Sequence, residues 1–192
     1  TRSKELHMNA AKYPSDRTRI LVLGGAGYLG SVMVPTLLSK GYFVTVVDNL
    51  MYNQSSLFDC CSNRYFEFVE NSITNHSFVN QLLPKYDVVI PLAALVGAPL
   101  CDANPKLANS TNFDAYMNIV RNLDEQQVVI FPTTNSGYGI GSKDSYCTEQ
   151  SPLRPISSYG KAKVDIEAAF LEKRNAITYR LATVFGMSPR MR

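Results

Sequence analysis

From Arg19 onward, short apolar runs alternate with longer stretches in which apolar residues recur every three or four positions. RILVLGG at 19–25 is continuously apolar and closed by glycine, the pattern of a strand buried on both faces. Residues 28–40 follow, with Leu29, Val32, Met33, Leu37 and Leu38 at helical spacing. Pro35 predicts a kink there, because it cannot donate to the Ser31 carbonyl. Further strands are predicted at 42–48, 65–70, 86–94, 127–134 and 176–184, and helices at 74–84, 105–125 and 158–174. Strand–helix alternation of this kind predicts the α/β class, a doubly wound parallel sheet. Ligands of such sheets bind at the carboxyl ends of the strands.

Composition narrows the partners. The 192 residues are 45% hydrophobic and 18% charged, enough to build one sizeable core. Five basic residues (Arg2, Lys4, Lys12, Arg17, Arg19) stand against Glu5 and Asp16 within residues 1–19, a surplus of three that accounts for the whole net charge of +3. The rest of the chain is neutral, which argues against a nucleic-acid-binding face. Residues 1–18 lack apolar periodicity and read as a flexible N-terminal tail, with 19–192 as the folded domain. No apolar run approaches the ~20 residues that a membrane helix needs. Cys60, Cys61, Cys101 and Cys147 show no C-x-x-C spacing, and His7 and His76 lie far apart. No metal site is expected, and a reducing, cytoplasmic setting is.

The first turn carries chemistry. GGAGYLG places Gly24, Gly27 and Gly30 three apart between a strand and a helix. In such a turn the glycines allow a tight bend, backbone approach to a pyrophosphate and close packing, while the helix N-terminus offers N–H groups to phosphate. Asp48 closes the second predicted strand 18 residues after Gly30, where a carboxylate can take both ribose hydroxyls and repel a 2′-phosphate. The expected cofactor is therefore NAD rather than NADP.

SSYGKAK at 157–163 then places Tyr159 and Lys163 on one face of a predicted helix. A phenol ionises with a pKa of about 10, and a neighbouring ammonium favours the phenolate. Lowering that pKa by ~3 units corresponds to ~4 kcal/mol of differential stabilisation. Such a phenolate can act as general base toward a substrate hydroxyl. FPTTNSGYG ends the fifth strand with hydroxyls at Thr133, Thr134 and Ser136, any of which could align the reacting oxygen.

Taken in order, Gly24-x-x-Gly27-x-x-Gly30, VVDNL, TTNSGYG, SSYGKAK and YRLATVFG resemble the extended short-chain dehydrogenase/reductase family, in its NAD-dependent nucleotide-sugar epimerase/dehydratase group. The resemblance runs from about Arg19 to the end of the chain and implies a Rossmann fold. By position it implies that Thr134 is the catalytic hydroxyl, Tyr159 the base, and Lys163 the residue that binds the nicotinamide ribose and tunes Tyr159. It places the cofactor against Gly24, Gly27, Tyr28, Leu29, Gly30, Asp48 and Asn49, and against Asn112, Tyr159 and Lys163. Further contacts fall at Ser72 and Ile73, where the family usually has Asp-Ile, and at Leu92, Ala93 and Ala94. Asn112 matches the family's helix asparagine behind the active site, and Pro91 stands where a histidine is common.

The resemblance also bears on the reaction. Members that eliminate water carry Asp-Glu directly after the catalytic threonine, and decarboxylating members carry a glutamate at the second of those places. Here they are Asn135 and Ser136, which are expected to touch substrate with Thr134 but cannot relay a proton as a carboxylate would. Epimerisation of a nucleotide sugar is the expected activity, with a dehydrogenase or ketoreductase of the same family compatible. Val96 stands near where some galactose epimerases carry a lysine, so no galactose specificity is implied. The family's substrate lobe would lie mostly after Arg192, so an NAD-binding module without turnover is a further alternative, as is a steroid or flavonoid reductase. The resemblance implies a homodimer through the helices at 105–125 and 158–174; Tyr116, Ile119, Val120, Ile166, Ala169 and Phe170 suit such a face, and burial within one chain explains several of them equally well.

Overall fold

A computed structural model of the protein describes residues 17–141, 146–173 and 175–190. Its six strands are β1 (Arg19–Leu23), β2 (Phe43–Asp48), β3 (Phe66–Glu70), β4 (Val88–Pro91), β5 (Val128–Thr134) and β6 (Ala176–Leu181). All neighbours pair in parallel, in the order β3-β2-β1-β4-β5-β6. The order runs outward from β1 to one edge and from β4 to the other. The loops leaving β1 and β4 therefore part at the carboxyl end, which is where a doubly wound sheet opens a ligand crevice.

The apolar runs explain the layers. Successive side chains of a strand point to opposite faces. On β1, Ile20 and Val22 join one core with Val34 and Leu38 of helix α1 (Gly30–Ser39). Leu21 and Leu23 join a second core on the other face, with α2 (His76–Leu82), α5 (Ala115–Asn122) and α6 (Ser158–Leu171). Leu21, Val22 and Leu23 are fully buried, and each such side chain contributes about 1.5–3 kcal/mol over an exposed one. Helix α1 continues through Pro35, held to the sheet by Val34 and Leu38 on either side of it.

Several boundaries differ from expectation. β4 stops at Pro91 because the Leu92 and Ala93 N–H groups both donate to the Leu23 carbonyl, at 2.7 and 2.8 Å, turning the chain off the sheet. The helix expected at 105–125 is three pieces: α4 (Pro105–Asn109), a π-helical turn (Ser110–Asp114) and α5. A short α3 (Ala98–Ala103) precedes them. Most of the expected tail lies outside the described residues, but Arg17 and Thr18 hold to the domain. The Arg17 guanidinium lies 4.2 Å from the centroid of the Tyr65 ring, and the Thr18 carbonyl accepts from the Phe43 N–H.

The expected dimer face is interior. Tyr116, Ile119, Ile166 and Phe170 are fully buried, Val120 is nearly so, and Ala169 packs against the same cluster. A helix lying on a sheet turns its apolar stripe to the sheet, and these residues are that stripe. Self-association thus rests on the resemblance alone. Among the described residues no helix is long and apolar enough to cross a membrane, and no group of three or more potential metal ligands occurs.

Candidate active site

The loop from β1 to α1 is built around missing side chains. Gly24 has φ +83°, and a Cβ there would lie 2.5 Å from the Ala93 backbone, where the β4 loop crosses. A Cβ on Gly30 would lie 2.2 Å from the Gly25 carbonyl oxygen, so the close approach it permits is to the turn itself. Gly25, which the spacing pattern passes over, is equally confined, with Val46 methyl groups 2.8 Å away. Gly27 differs: its Cβ would meet only the Gly24 carbonyl oxygen, at 3.3 Å. The protein leaves open space where a phosphate backbone would need approach. Among the described residues no hydrogen bond takes the N–H of Tyr28 or Leu29. Both lie just before the N-terminus of α1, where partial positive charge favours an anion. Gly24→Ala is expected to destabilise the fold. The positive φ alone costs about 1–2 kcal/mol and the clash adds to it, which for a domain of this size lowers the melting temperature by more than about 5 °C in a thermal scan.

Asp48 ends β2 beside this turn and is nearly buried. Its Oδ2 accepts from the Ala26 N–H at 3.0 Å, while its Oδ1 accepts from the Leu50 N–H at 2.9 Å and from Gln54 Nε2 at 3.3 Å. A carboxylate offers about four acceptor positions, so three bonds leave room for one more donor. Gln54 was missed, since a glutamine in a polar loop carries no pattern. Asn49 is exposed, and its side chain accepts from the Met51 N–H.

At the end of β3, the Ser72 hydroxyl pairs with that of Thr74 at 2.8 Å. Ile73 lies in the main core, so its side chain serves packing, contrary to a cofactor contact by that side chain. Tyr28 donates its hydroxyl to the Gly186 carbonyl at 2.7 Å, and Ser188 Oγ donates to the Tyr28 carbonyl at 3.0 Å. The Tyr28 side chain therefore holds the segment after β6 across the first turn, leaving its N–H for a ligand.

The loop after β4 joins the two halves of the site. Leu92 packs on the α1-side core and Ala93 on the opposite core, while Ala94 is half-buried. Asn112 sits in the π-helical turn, 3% exposed. It accepts from the Leu95 N–H at 2.9 Å and donates to the Leu95 carbonyl at 2.8 Å. Both ends of its amide are spent on this loop, so Asn112 positions the site and does not face a cofactor with its side chain. Single π turns of this kind occur often at functional sites. Leu95, Cys101 and Ala108 then form a small apolar bed on which the Tyr159 ring packs.

Helix α6 starts where Ser157 Oγ accepts from the Gly160 N–H at 3.0 Å, and Ser158 ties it to α3 through Asp102 at 2.9 Å. That start fixes Tyr159, half-buried, in its first turn. One turn on, Lys163 is 4% exposed, with its ammonium 5.0 Å from the Tyr116 ring centroid and 4.7 Å from that of Phe131. Burial lowers its pKa from 10.5 to about 8, and Cys101 opposes the fall. Burial likewise pushes the Cys101 thiol up, helped by Asp102.

Thr134 closes β5, half-buried, and its Oγ1 accepts from the Ser136 N–H at 3.2 Å. Asn135 and Ser136 are exposed beside it. Thr133 points inward, and its buried hydroxyl has no partner among the described residues, which separates it from Thr134 as the strand's inner residue. Further along, Arg180 Nε pairs with buried Glu167 at 2.8 Å and Arg180 Nη1 donates to Tyr138 at 3.2 Å, pinning β6 to α6 and to the loop after β5.

Residues 20–192 match the NAD dependent epimerase/dehydratase family. The chain is 28% identical over 176 residues to UDP-glucose 4-epimerase of Lactobacillus helveticus, covering 88% of this chain and 52% of that protein. It is 32% identical over 127 residues to UDP-N-acetyl-alpha-D-glucosaminuronate decarboxylase of Bacillus cytotoxicus, covering 66% and 39%. Among solved structures, UDP-glucose 4-epimerase from Brucella ovis in complex with NAD superposes with a TM-score of 0.71 at 27% identity, covering 85% of this chain and 52% of that one. The chain spans about half the length, or less, of the curated relatives it matches. A family match over nearly the whole chain places this protein in the NAD-dependent epimerase/dehydratase family.

Proposed function

We propose that the protein is an NAD-dependent enzyme acting on a nucleotide sugar, with epimerisation through a keto sugar as its reaction. One observation carries the reading: the loop after β4 abuts Gly24 through Ala93 and underlies Tyr159 through Leu95. A cofactor's phosphates on the first turn and a base on α6 are thereby tied to one short segment. The residues fit the cofactor in three respects: the open space at Gly27, the N–H groups of Tyr28 and Leu29, and the spare acceptor position of Asp48. NAD bound there supplies the hydride acceptor, and afterwards the donor.

The chain's own residues do the rest. Tyr159 receives the proton of the sugar hydroxyl and later returns it. The Lys163 ammonium, its pKa lowered by burial to about 8, stabilises the negative charge on that oxygen. Thr134 donates to the reacting oxygen and holds it in line. Asn135 and Ser136 offer hydrogen bonds but no carboxylate, which supports return of the hydride over loss of water or carbon dioxide.

Asp48→Ala is expected to weaken NAD binding by roughly 10- to 100-fold in calorimetric titration, the equivalent of one hydrogen bond to a charged acceptor. It should also let NADP bind, since the repelling charge is gone. The activity itself is tested by incubating the protein with NAD and a panel of UDP- and GDP-sugars. Conversion of one sugar to its epimer without net reduced nicotinamide supports the proposal. Stoichiometric accumulation of reduced nicotinamide identifies a dehydrogenase, and NAD binding with no sugar converted identifies a binding module.

A further inference from the structure

We propose that Tyr116 and Phe131 form an aromatic seat that fixes the Lys163 ammonium beneath Tyr159 and keeps it charged at neutral pH, making Tyr116 a positioning residue. The inference deepens the reading above and rests on it only for the link to catalysis.

A buried lysine ordinarily sheds its proton unless something replaces the lost water. Among the described residues no carboxylate pairs with Lys163. Glu167, one turn further along α6, is taken by Arg180. The groups facing Lys163 can be named by element. From α3 comes Cys101, whose thiol is held neutral by burial, and from β5 comes Phe131, which has no charge. From α5 comes Tyr116, whose phenol burial keeps protonated. From α6 itself come Tyr159 and Glu167. The Glu167 carboxylate is spent on Arg180, and Cys101 alone opposes the effect of burial on Lys163, so the ring faces are a further source of attraction. A desolvated cation over an aromatic face is held by the equivalent of roughly one pKa unit.

The rings are locked in place. The Tyr116 hydroxyl donates to the Ala93 carbonyl at 2.7 Å and to the Pro91 carbonyl at 3.2 Å. Its ring meets Phe131 at 5.5 Å and Phe170 at 6.5 Å between centroids. The same hydroxyl thus fastens the seat to the loop that carries Leu95 under Tyr159. A leucine at 116 would keep the position apolar but give the ammonium no ring face. A phenylalanine would keep the face and lose only the two hydrogen bonds.

The test follows the Lys163 side chain directly in protein labelled with carbon-13 at lysine Cε, the signal being assigned with Lys163→Met. Its titration midpoint is read by nuclear magnetic resonance in the intact chain. Tyr116→Phe is expected to leave the midpoint in place, whereas Tyr116→Leu and Phe131→Leu each lower it by about one unit. NAD affinity measured across pH should shift with the midpoint in the leucine variants. If Tyr116→Leu does not fold, Phe131→Leu carries the same comparison. A midpoint unmoved by the leucine variants, or lowered as far by Tyr116→Phe as by Tyr116→Leu, overturns the seat. A midpoint that moves in a protein converting no sugar upholds the seat and counts against the catalytic reading instead.

Discussion

Tyr159→Phe is expected to lower sugar turnover by about 10²- to 10⁴-fold, the usual contribution of a positioned general base. NAD affinity should fall far less than turnover, because the first turn and Asp48 are untouched. The substitution is close to isosteric. The ring still packs on Leu95, Cys101 and Ala108, so its position is kept while the hydroxyl is lost. A structural role would show itself differently, as a lower melting temperature and weaker NAD binding together. Turnover within a few-fold of the unsubstituted protein would remove Tyr159 from the reaction.

Lys163→Met should have the opposite signature, a more stable fold with no turnover. The lysine ionises at 10.5 in the unfolded chain and at about 8 in the fold, lowered chiefly by burial. Above pH 10.5 it is neutral in both states and imposes no charge penalty. As pH falls below that value the unfolded chain binds the proton first, so the fold loses stability until pH 8 is passed. Below pH 8 the loss is constant. A difference of 2.5 units between the two states corresponds to about 3 kcal/mol. Denaturant unfolding at pH 7 should therefore find the methionine variant more stable by an amount of that order, with the advantage vanishing near pH 11. Equal stability at both pH values would show that the ammonium is not held in a desolvated place. The fold tolerates this burden at a site where a charge is useful, a common exchange of stability for activity.

How much of this was legible in the sequence depends on the range of the interaction. The central strands show because a parallel strand buried on both faces is apolar along most of its length, as 20–23 of β1 and, apart from Thr45, 43–47 of β2 are. The first turn, Asp48 and the Tyr159–Lys163 pair show because their geometry is set by local spacing on one turn or one helix. The π-helical turn at Ser110–Asp114 does not show, since it needs one extra residue per turn and no distinctive composition. The apolar stripes of α5 and α6 are legible but their partner is not, because periodicity identifies a stripe without saying what covers it. Here the sheet covers it. Least legible was the setting of Lys163: Tyr116 and Phe131 lie on other elements, and only the packed sheet and helices bring their rings to it. The load on Asp48 was hidden for the same reason, its three donors being two backbone groups and a loop glutamine.

The central claim is that the Tyr159 phenol faces the nicotinamide of an NAD anchored on the first turn. It is tested most directly by nuclear Overhauser contacts in tyrosine-labelled protein saturated with NAD, Tyr159 being assigned by the loss of its signal in Tyr159→Phe. The account predicts cross-peaks between the Tyr159 ring protons and the nicotinamide ring protons. NAD bound at the glycine turn, with shifted Tyr28 and Leu29 amide signals but with no such contact at Tyr159, would contradict it.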